Sequence, residues 1–250
     1  MSQPIPGGIK VHGRLGFGLQ PPKTLPPVTP RPFDFHELRQ LLGTDAPIIL
    51  EIGANNGTTT LQLLRYFPGC RIYAVEPDLR ALAKFRARIN DPRVQLFEMA
   101  IGAKDGEAEF YVSSGMRPGV NPTAFSMEYP LGWDQSGSLR KPKTHKQVWP
   151  WCTFESKRNV LVRRLDTWTR EAGISRVDFI WADIQGAEGD LVSGGKDTLS
   201  RTRYFYTEYS NDEWYEGQPQ LSVLLEMLET FSILRRFARD VLFKNNAPKV

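Results

Sequence analysis

Two acidic residues and two glycines stand at spacings that suit a nucleotide-type ligand. Glu51 lies in a short apolar run rich in isoleucine, and Gly53 and Gly57 follow within a few residues. A second apolar run, Arg71–Val75, is followed at once by Glu76. Glycine allows a sharp turn and close approach to a ligand, and an acid after the second strand contacts ribose hydroxyls in dinucleotide-binding folds. The pattern predicts a strand, a glycine turn, a helix, a strand and an acid around one ligand.

The type of ligand follows from the residue at the first position of this turn. The dinucleotide fingerprint reads Gly-x-Gly-x-x-Gly and places a pyrophosphate at a helix N-terminus, whereas this chain has Glu51 in place of the first glycine. A carboxylate there repels a pyrophosphate and attracts an ammonium group. S-adenosylmethionine (SAM) carries an ammonium, a sulfonium and a ribose but no phosphate. We therefore predict SAM as the cofactor and S-adenosylhomocysteine (SAH) as its product. A glycine turn without a ligand is the alternative.

The predicted cofactor site combines the glycine turn with residues just past the ends of several strands. Glu76 is expected to accept hydrogen bonds from the ribose hydroxyls. The adenine is expected near Ala100 and Ile101. The full predicted set is Glu51, Gly53, Ala54, Asn55, Asn56, Gly57, Glu76, Pro77, Ala100, Ile101 and Asp183.

Three side chains are candidate catalytic residues. Asp183 follows the apolar run Val177–Ala182, where it is expected to meet the transferring methyl group or the nucleophile; a helix N-cap is its alternative role. Glu208 ends another apolar run and is expected to face the ligand crevice. His145 is a candidate base because a neutral imidazole titrates near physiological pH, or it is an ordinary loop histidine. No residues stand at the spacing of a metal site.

The segment 114–158 is predicted to be a lid that faces the substrate. It holds tryptophans at 133, 149 and 151 among glycines, prolines and serines. Long loops are usually functional or disordered, and disordered segments are poor in aromatic residues. Lys141 and Lys143 are expected either to bind an anionic group of the acceptor or to be solvated.

The remaining pattern predicts an α/β fold with a mostly parallel sheet, a C-terminal antiparallel strand and helices on both faces. Helices are expected at 34–42, 58–67, 78–90 and 220–230, with one that opens at 166–168 and one that follows a turn at 186–188 and runs to about 199. Strands are expected at 48–52, 71–75, 94–97, 108–112 at one side of the sheet, 160–165, 177–182 and 203–208, with a final hairpin at 231–237 and 241–244. The proline-rich and glycine-rich residues 1–32 are predicted to be an N-terminal arm, and 33–250 one domain.

Net charge and composition limit the kinds of molecule that the protein is expected to bind. The net charge of +4 over 250 residues permits an anionic acceptor but is too small for a typical nucleic-acid binder, so nucleic acid is disfavoured. No apolar run is long enough to cross a membrane, and no signal-peptide core stands at the N-terminus, so no membrane partner is expected. Cys70 and Cys152 lack metal-ligand spacing, which favours a reduced cytoplasmic setting. Self-association is left open.

Several motifs resemble the FkbM-type SAM-dependent methyltransferases over residues 46 to about 246. They are Glu51–Gly57, Val75–Pro77, Leu165–Trp168, Asp178–Glu188, Tyr206–Glu208 and Asp240–Phe243. The resemblance implies a Rossmann-like class I methyltransferase sheet and O-methyl transfer to sugar or natural-product hydroxyls. The common family pattern has Lys and Glu where this chain has Trp181 and Gln185, which suggests a subgroup with its own substrate.

The sequence therefore predicts a SAM-dependent O-methyltransferase whose acceptor is a small hydroxylated molecule such as a glycan or secondary metabolite. Two other functions stay open at this point. One is methylation of RNA, favoured by the basic residues and aromatics of the predicted lid. The other is SAM binding without catalysis.

Overall fold

Short apolar strands form a seven-stranded sheet at the centre of the molecule. The computed structural model describes residues 25–249. Five strands run parallel, and the C-terminal β10 pairs antiparallel with both β8 and β9. The strand order is β3-β2-β1-β7-β8-β10-β9, which confirms the predicted Rossmann-like sheet and its C-terminal hairpin. These strands are β1 Ile48–Ile52, β2 Arg71–Val75, β3 Val94–Phe97, β7 Val177–Ala182, β8 Thr202–Glu208, β9 Phe231–Arg236 and β10 Asp240–Asn245.

Both faces of this sheet are covered by helices because side chains of a strand alternate between its faces. In β1, Leu50 and Ile52 join one core cluster, and Ile49 joins the other. Helices α6 to α9 pack on the first face, and α1 to α3 on the second. The helices are α1 Phe35–Leu42, α2 Thr58–Tyr66, α3 Leu79–Arg88, α4 Pro122–Glu128, α5 His145–Val148, α6 Leu165–Glu171, α7 Glu188–Gly194, α8 Lys196–Ser200 and α9 Leu221–Met227.

The helix boundaries follow local capping chemistry. Asp78 caps α3 as predicted, and its Oδ1 accepts the backbone N–H of Arg80 at 2.9 Å. The single helix predicted from the turn at 186–188 to about 199 is instead two helices, α7 and α8, separated at Gly195. A Cβ at Gly195 would lie 2.6 Å from Leu165 Cδ2. Close packing against α6 therefore accompanies this break.

A second, three-stranded sheet lies apart from the parallel one. It comprises β4 Ala100–Gly102, β5 Gly106–Ser114 and β6 Thr153–Arg164, in the order β4-β6-β5. The prediction that 108–112 forms one side of the main sheet was wrong, because β5 pairs antiparallel with the long β6. The strand predicted at 160–165 begins earlier, at Thr153, so the last six residues of the predicted lid belong to a strand. Half of the residues of β6 are exposed, and its weak apolar alternation hid its length.

Only the end of the predicted N-terminal arm falls within the described residues, and residues 1–24 lie outside them. Thr29 donates its backbone N–H to the Arg236 carbonyl at 2.6 Å. Phe33 packs against Tyr206 and Trp181, with ring centroids 4.4 and 5.4 Å away. This segment therefore covers the sheet beside β7 and β8.

We expect Phe33→Ala to lower the free energy of unfolding by about 2 kcal/mol, since a half-buried aromatic side chain is removed from this contact. Chemical denaturation at neutral pH measures the change. Val28→Ala is the matched control, because Val28 is 47% exposed and should change stability by less than about 0.5 kcal/mol. Equal stability of the Phe33 variant and the wild type would contradict a packing role for this segment.

Candidate active site

The carboxyl ends of β1, β2, β7 and β8 meet at one edge of the sheet and open into a cavity of about 650 Å³. This is the edge where open α/β sheets bind ligands. Residues from the predicted lid form the opposite wall. The cavity brings together predicted residues that are far apart in the chain, among them Gly53, Asn55, Glu76, His145, Asp183 and Glu208.

The glycine turn after β1 holds three strand ends together. Gly53 has φ +84°, and a Cβ there would lie 1.9 Å from the Asp183 carbonyl oxygen. Only glycine fits this approach. The backbone N–H groups of Gly53 and Ala54 both donate to the Val75 carbonyl, at 2.9 and 3.0 Å, and the N–H of Asp183 donates to the Ile52 carbonyl at 2.9 Å. The turn thus fixes β1, β2 and β7 at the cavity floor.

Glu76 is a buried acceptor at the edge of the cavity. Its Oε2 accepts the backbone N–H of Asn55 at 2.9 Å, and its Oε1 accepts that of Asp78 at 2.7 Å. A carboxylate has about four acceptor sites, so each oxygen keeps one for a ligand. Burial raises the pKa of Glu76 to about 8, and the two backbone bonds act against that rise.

A small apolar slot adjoins Glu76. Ile52, Val75, Met99, Phe110 and Leu139 supply most of its apolar wall. The predicted adenine contacts Ala100 and Ile101 line this slot, as do Pro77 and Asp183. The slot and the larger cavity share Gly53 and Glu76. A flat apolar ring and a polar diol would therefore find adjacent surfaces here.

Glu51 and Gly57, both assigned to the cofactor by the sequence, do not line the cavity. Glu51 is fully buried, and its Oε2 accepts the Thr60 hydroxyl at 2.7 Å. Its carboxylate therefore faces α2, and the predicted direct contact with an ammonium group does not match this geometry. Gly57 serves packing, since a Cβ there would lie 2.8 Å from Ile89 Cγ1.

Asp183 and Glu208 form a carboxylate pair bridged by Gln185. The Gln185 side-chain amide donates to Asp183 Oδ1 at 2.6 Å and to Glu208 Oε2 at 3.1 Å. Burial raises the pKa of both carboxyls, and their mutual repulsion raises that of Glu208 further. Glu188 and Asp240 add to this repulsion, while Arg239 opposes it. The predicted pair thus lies in one place, held by a residue that the sequence singled out only as a departure from the family pattern.

Five tryptophans surround the outer part of the cavity, namely Trp133, Trp149, Trp151, Trp181 and Trp214. The Arg239 guanidinium lies 5.3 Å from the Trp149 ring and 5.4 Å from the Trp214 ring. The sequence offers Trp214 as a residue of a loop that could wall the substrate pocket, but it does not reveal Trp181 and Arg239 as members of the same wall. Only their long-range proximity reveals it, because no motif spacing links them.

His145 lies in the cavity wall but differs from the predicted lid base. It is 3% exposed and packs against the rings of Trp149, Phe154 and Tyr215 at 4.6 to 5.3 Å. Burial lowers the pKa of its imidazole to about 4. The prediction of an unshifted value near 6.5 was therefore wrong. His145 is neutral at physiological pH and is a weaker base than expected, because its surroundings disfavour the charge it would gain.

The two lysines predicted to meet an anionic acceptor bind acids of this chain instead. Lys141 pairs with Glu216 at 2.8 Å, and Lys143 pairs with Glu213. The adjoining backbone is also joined, since the N–H of Lys143 donates to the Trp214 carbonyl at 2.7 Å. We call this contact between residues 141–145 and 213–216 the lid seam. It brings Trp149 and Trp214 together in the cavity wall.

Comparison with known proteins identifies the type of enzyme. The methyltransferase FkbM domain matches residues 51–243. The 2-O-methyltransferase NoeI of Sinorhizobium fredii (strain NBRC 101917 / NGR234) is 39% identical over 214 residues, which cover 84% of each chain. The chain belongs to the methyltransferase FkbM family. The protein is therefore a methyltransferase, and its FkbM domain spans the strand ends and most of the cavity wall described above.

Two other proteins that resemble this chain do so over a shorter stretch or at lower identity. A tRNA (guanine-N(7)-)-methyltransferase of Mycobacterium avium (strain 104) is 42% identical over 52 residues, or 21% of this chain and 20% of its own. Among solved structures, a putative rRNA-methylase from Clostridium thermocellum aligns with 86% of this chain and 94% of its own, at 10% identity and a TM-score of 0.46. Across residues 25–249, no helix has the length and apolar character of a membrane span.

Burial of Glu51 beneath the FkbM glycine turn makes stability depend on pH. Its pKa is raised to about 8 in the folded protein and is about 4.3 in an unfolded chain. At a pH between these two pKa values, Glu51 is protonated in the folded state and ionised in the unfolded state. The contribution of Glu51 to the free energy of unfolding therefore falls as pH rises, by up to about 1.4 kcal/mol per pH unit.

We expect Glu51→Gln to flatten this decline, because an amide does not titrate. Urea denaturation at pH 5, 6.5 and 8 in wild type and variant gives the two slopes. Other buried carboxyls leave part of the slope in place. The same dependence of stability on pH in both proteins would show that Glu51 does not hold the extra proton.

Proposed function

We propose that this methyltransferase uses SAM to methylate a hydroxyl group of a carbohydrate or similarly hydroxylated small molecule. The observation that carries this proposal is the single cavity in which Glu76 and the apolar slot adjoin Asp183 and the tryptophan wall. The end with Glu76 and the apolar slot suits a nucleoside. The end with Asp183 and the tryptophans suits a ring with apolar faces and polar edges. The 2-O-methyltransferase name of the NoeI relative supports transfer to oxygen.

The residues present fit SAM at the first end of the cavity. Glu76 retains acceptor capacity on both oxygens for the two ribose hydroxyls, and the slot beside Ala100 and Ile101 suits the adenine. Asn55, Asn56 and Thr59 offer polar groups on the turn for the methionine part. Backbone at the turn can approach the ligand because Gly53 has no side chain. Glu51 supports the turn from below and is not assigned to the ligand.

The second end of the cavity suits a sugar-like acceptor. Indole faces are apolar, and each indole N–H is a donor at its edge. The C–H faces of a pyranose ring can pack on the indole faces, and its hydroxyl oxygens can accept hydrogen bonds from the indole N–H groups. Arg239 and Arg117, which are both exposed at this wall, would attract an anionic substituent on the acceptor.

Asp183 is the proposed proton acceptor. SAM supplies a methyl group on a positively charged sulfur. The acceptor oxygen gains this methyl group as its O–H proton passes to the Asp183 carboxylate, so the products are a methyl ether and neutral-sulfur SAH. A base must reach the proton at about 2.6–3.2 Å. Its fixed position at the end of β7 and its bond to Gln185 favour Asp183 over His145, and the ring cage around His145 suits a wall residue.

The charges around the cavity favour a small acceptor over nucleic acid. Lys84 is paired with Asp134 at 2.5 Å, and the lysines of the lid seam are paired with Glu213 and Glu216. These cations are thus engaged within the chain, whereas binding to a phosphate backbone needs several free ones. Cys70 and Cys152 are free and buried, which supports the proposal of a reducing, cytoplasmic location.

The function is tested by mass spectrometry with SAM and a panel of methyl glycosides, including hexoses, deoxyhexoses and uronic acids, alongside short RNA. We expect a mass increase of one methyl group on at least one glycoside, with release of SAH. Methylation of RNA alone would overturn the acceptor assignment.

Glu76→Gln should weaken SAM binding about tenfold, because one acceptor oxygen is replaced by an amide donor and a net hydrogen bond is worth about 0.5–1.5 kcal/mol. Isothermal titration calorimetry measures the affinity. Glu51→Gln is the matched control, since it neutralises a buried acid of the same turn outside the cavity. Unchanged affinity in the Glu76 variant would remove Glu76 from the ribose site.

Asp183→Asn should reduce turnover by about 10²–10⁴-fold, the usual contribution of a general base, while SAM affinity stays within about threefold. SAH release with the acceptor found in the panel measures turnover. Asp212→Asn, an exposed acid outside the cavity lining, is the control and should keep the wild-type rate. Full turnover of the Asp183 variant would exclude Asp183 as the base.

A further inference from the structure

The backbone around Gln185 takes an uncommon conformation that aims its side chain at the carboxylate pair. Gln185 has φ +52° and Gly186 has φ +93°. Left-handed backbone is uncommon for a residue with a side chain and marks a position held by its surroundings. A Cβ at Gly186 would lie 2.8 Å from the Tyr215 Cβ, so the turn packs tightly against Tyr215.

The contacts of Gln185 determine which way its amide points. Its nitrogen donates to Asp183 Oδ1 and Glu208 Oε2, at 2.6 and 3.1 Å. Its Oε1 accepts from the Tyr215 hydroxyl at 3.1 Å, and burial raises the pKa of that phenol well above its ordinary value. Tyr215 therefore stays protonated, and its single proton is shared between Gln185 Oε1 and the Ser136 carbonyl, which lies 2.9 Å away. The reversed amide would place its oxygen against Asp183 Oδ1, so an ionised Asp183 selects the orientation in which the amide nitrogen faces it.

We propose that Gln185 is a positioning residue whose amide holds Asp183 in its ionised form and leaves the shared proton of the pair on Glu208. This inference rests on the proposed function, in which Asp183 takes the acceptor proton. The shorter amide bond is the one to Asp183, and a hydrogen bond to a carboxylate favours the charged form. Gln185 thus favours Asp183 rather than Glu208 as the base.

The other charges near the pair favour the same assignment. Glu188 and Asp240 repel Glu208, and Arg239 attracts it. Tyr206 donates a hydrogen bond to Asp240, which is also repelled by Asp183. Burial raises the pKa of Asp183, and among the surrounding groups the bond from Gln185 lowers it. Glu208 has more acidic neighbours, and the proton therefore resides there.

Gln185 also ties the pair to the lid. The Ser138 hydroxyl donates to the Gln185 carbonyl at 2.7 Å, and the Tyr215 hydroxyl lies 2.9 Å from the Ser136 carbonyl. Residues 136 and 138 belong to the predicted lid, and Tyr215 belongs to the lid seam. The Gln185 backbone and the Tyr215 side chain are thus both tied to the predicted lid, which fixes the position of Gln185 from the substrate side of the cavity.

The test uses the full chain and compares its affinities for SAM and SAH by calorimetry from pH 5.5 to 9. The two ligands differ by the charge on sulfur, so their affinity ratio reports the charge of nearby carboxylates. In the wild type we expect this ratio to rise with pH as the pair ionises. In Gln185→Met, which keeps side-chain length but loses the donor, the midpoint should move up by about one to two pH units.

Two further variants sharpen the result. Gln135→Met removes another cavity-wall amide, one that donates to the Tyr129 hydroxyl at 3.0 Å, and should leave the midpoint in place. Glu208→Gln replaces the protonated carboxyl by a neutral amide and should move the midpoint much less than Gln185→Met does; a downward move of about one pH unit overturns the placement of the proton on Glu208. An unmoved midpoint in Gln185→Met, or in Gln185→Leu if the first variant does not fold, overturns the role of Gln185 alone. A ratio independent of pH in the wild type overturns the placement of Asp183 beside the sulfur as well.

Discussion

The contact between the backbones of Gly53 and Asp183 is the constraint on which the site depends. It joins the end of β1 to the end of β7 at a distance that excludes any side chain at Gly53. The cofactor turn and the proposed base are consequently parts of one rigid unit. Methyl transfer needs little from the protein beyond alignment of the reacting atoms, and such alignment can contribute about 7–11 kcal/mol. A fixed backbone contact is well suited to provide it.

Burial at the same edge of the sheet places several carboxyl groups in surroundings that disfavour negative charge. The pKa values of Glu76 and Glu188 rise to about 8 and about 7. A site with many acids thus carries fewer negative charges at neutral pH than its composition suggests. Neutral donors such as Gln185 then determine where the remaining charge lies. In the proposed mechanism, the positively charged sulfur and the ionised Asp183 would therefore meet fewer negative charges than the number of acids in the cavity suggests.

The sequence predicted the parallel sheet well because local signals determine it. Apolar runs, the glycine turn and the cap at Asp78 each act over a few residues. The second sheet was mispredicted because half of β6 is exposed and because β6 owes its length to pairing with β5 across the chain. The same limit applied to the site. Glu76 was found from its strand, whereas burial of His145 and the bridging role of Gln185 depend on partners tens of residues away.

The lid seam has a consequence for how this enzyme can diversify. The floor that suits SAM is built from the ends of parallel strands, whereas much of the acceptor wall comes from two segments outside that framework, residues 141–151 and 213–216. The first segment contributes Trp149 and Trp151 and the second contributes Trp214, and the rings of Trp149 and Trp214 meet at 4.9 Å. Paired changes across this junction can reshape the wall without disturbing the strand ends. Inherited variation in substrate choice should therefore accumulate as matched substitutions on the two sides of the seam, with the cofactor floor left unchanged.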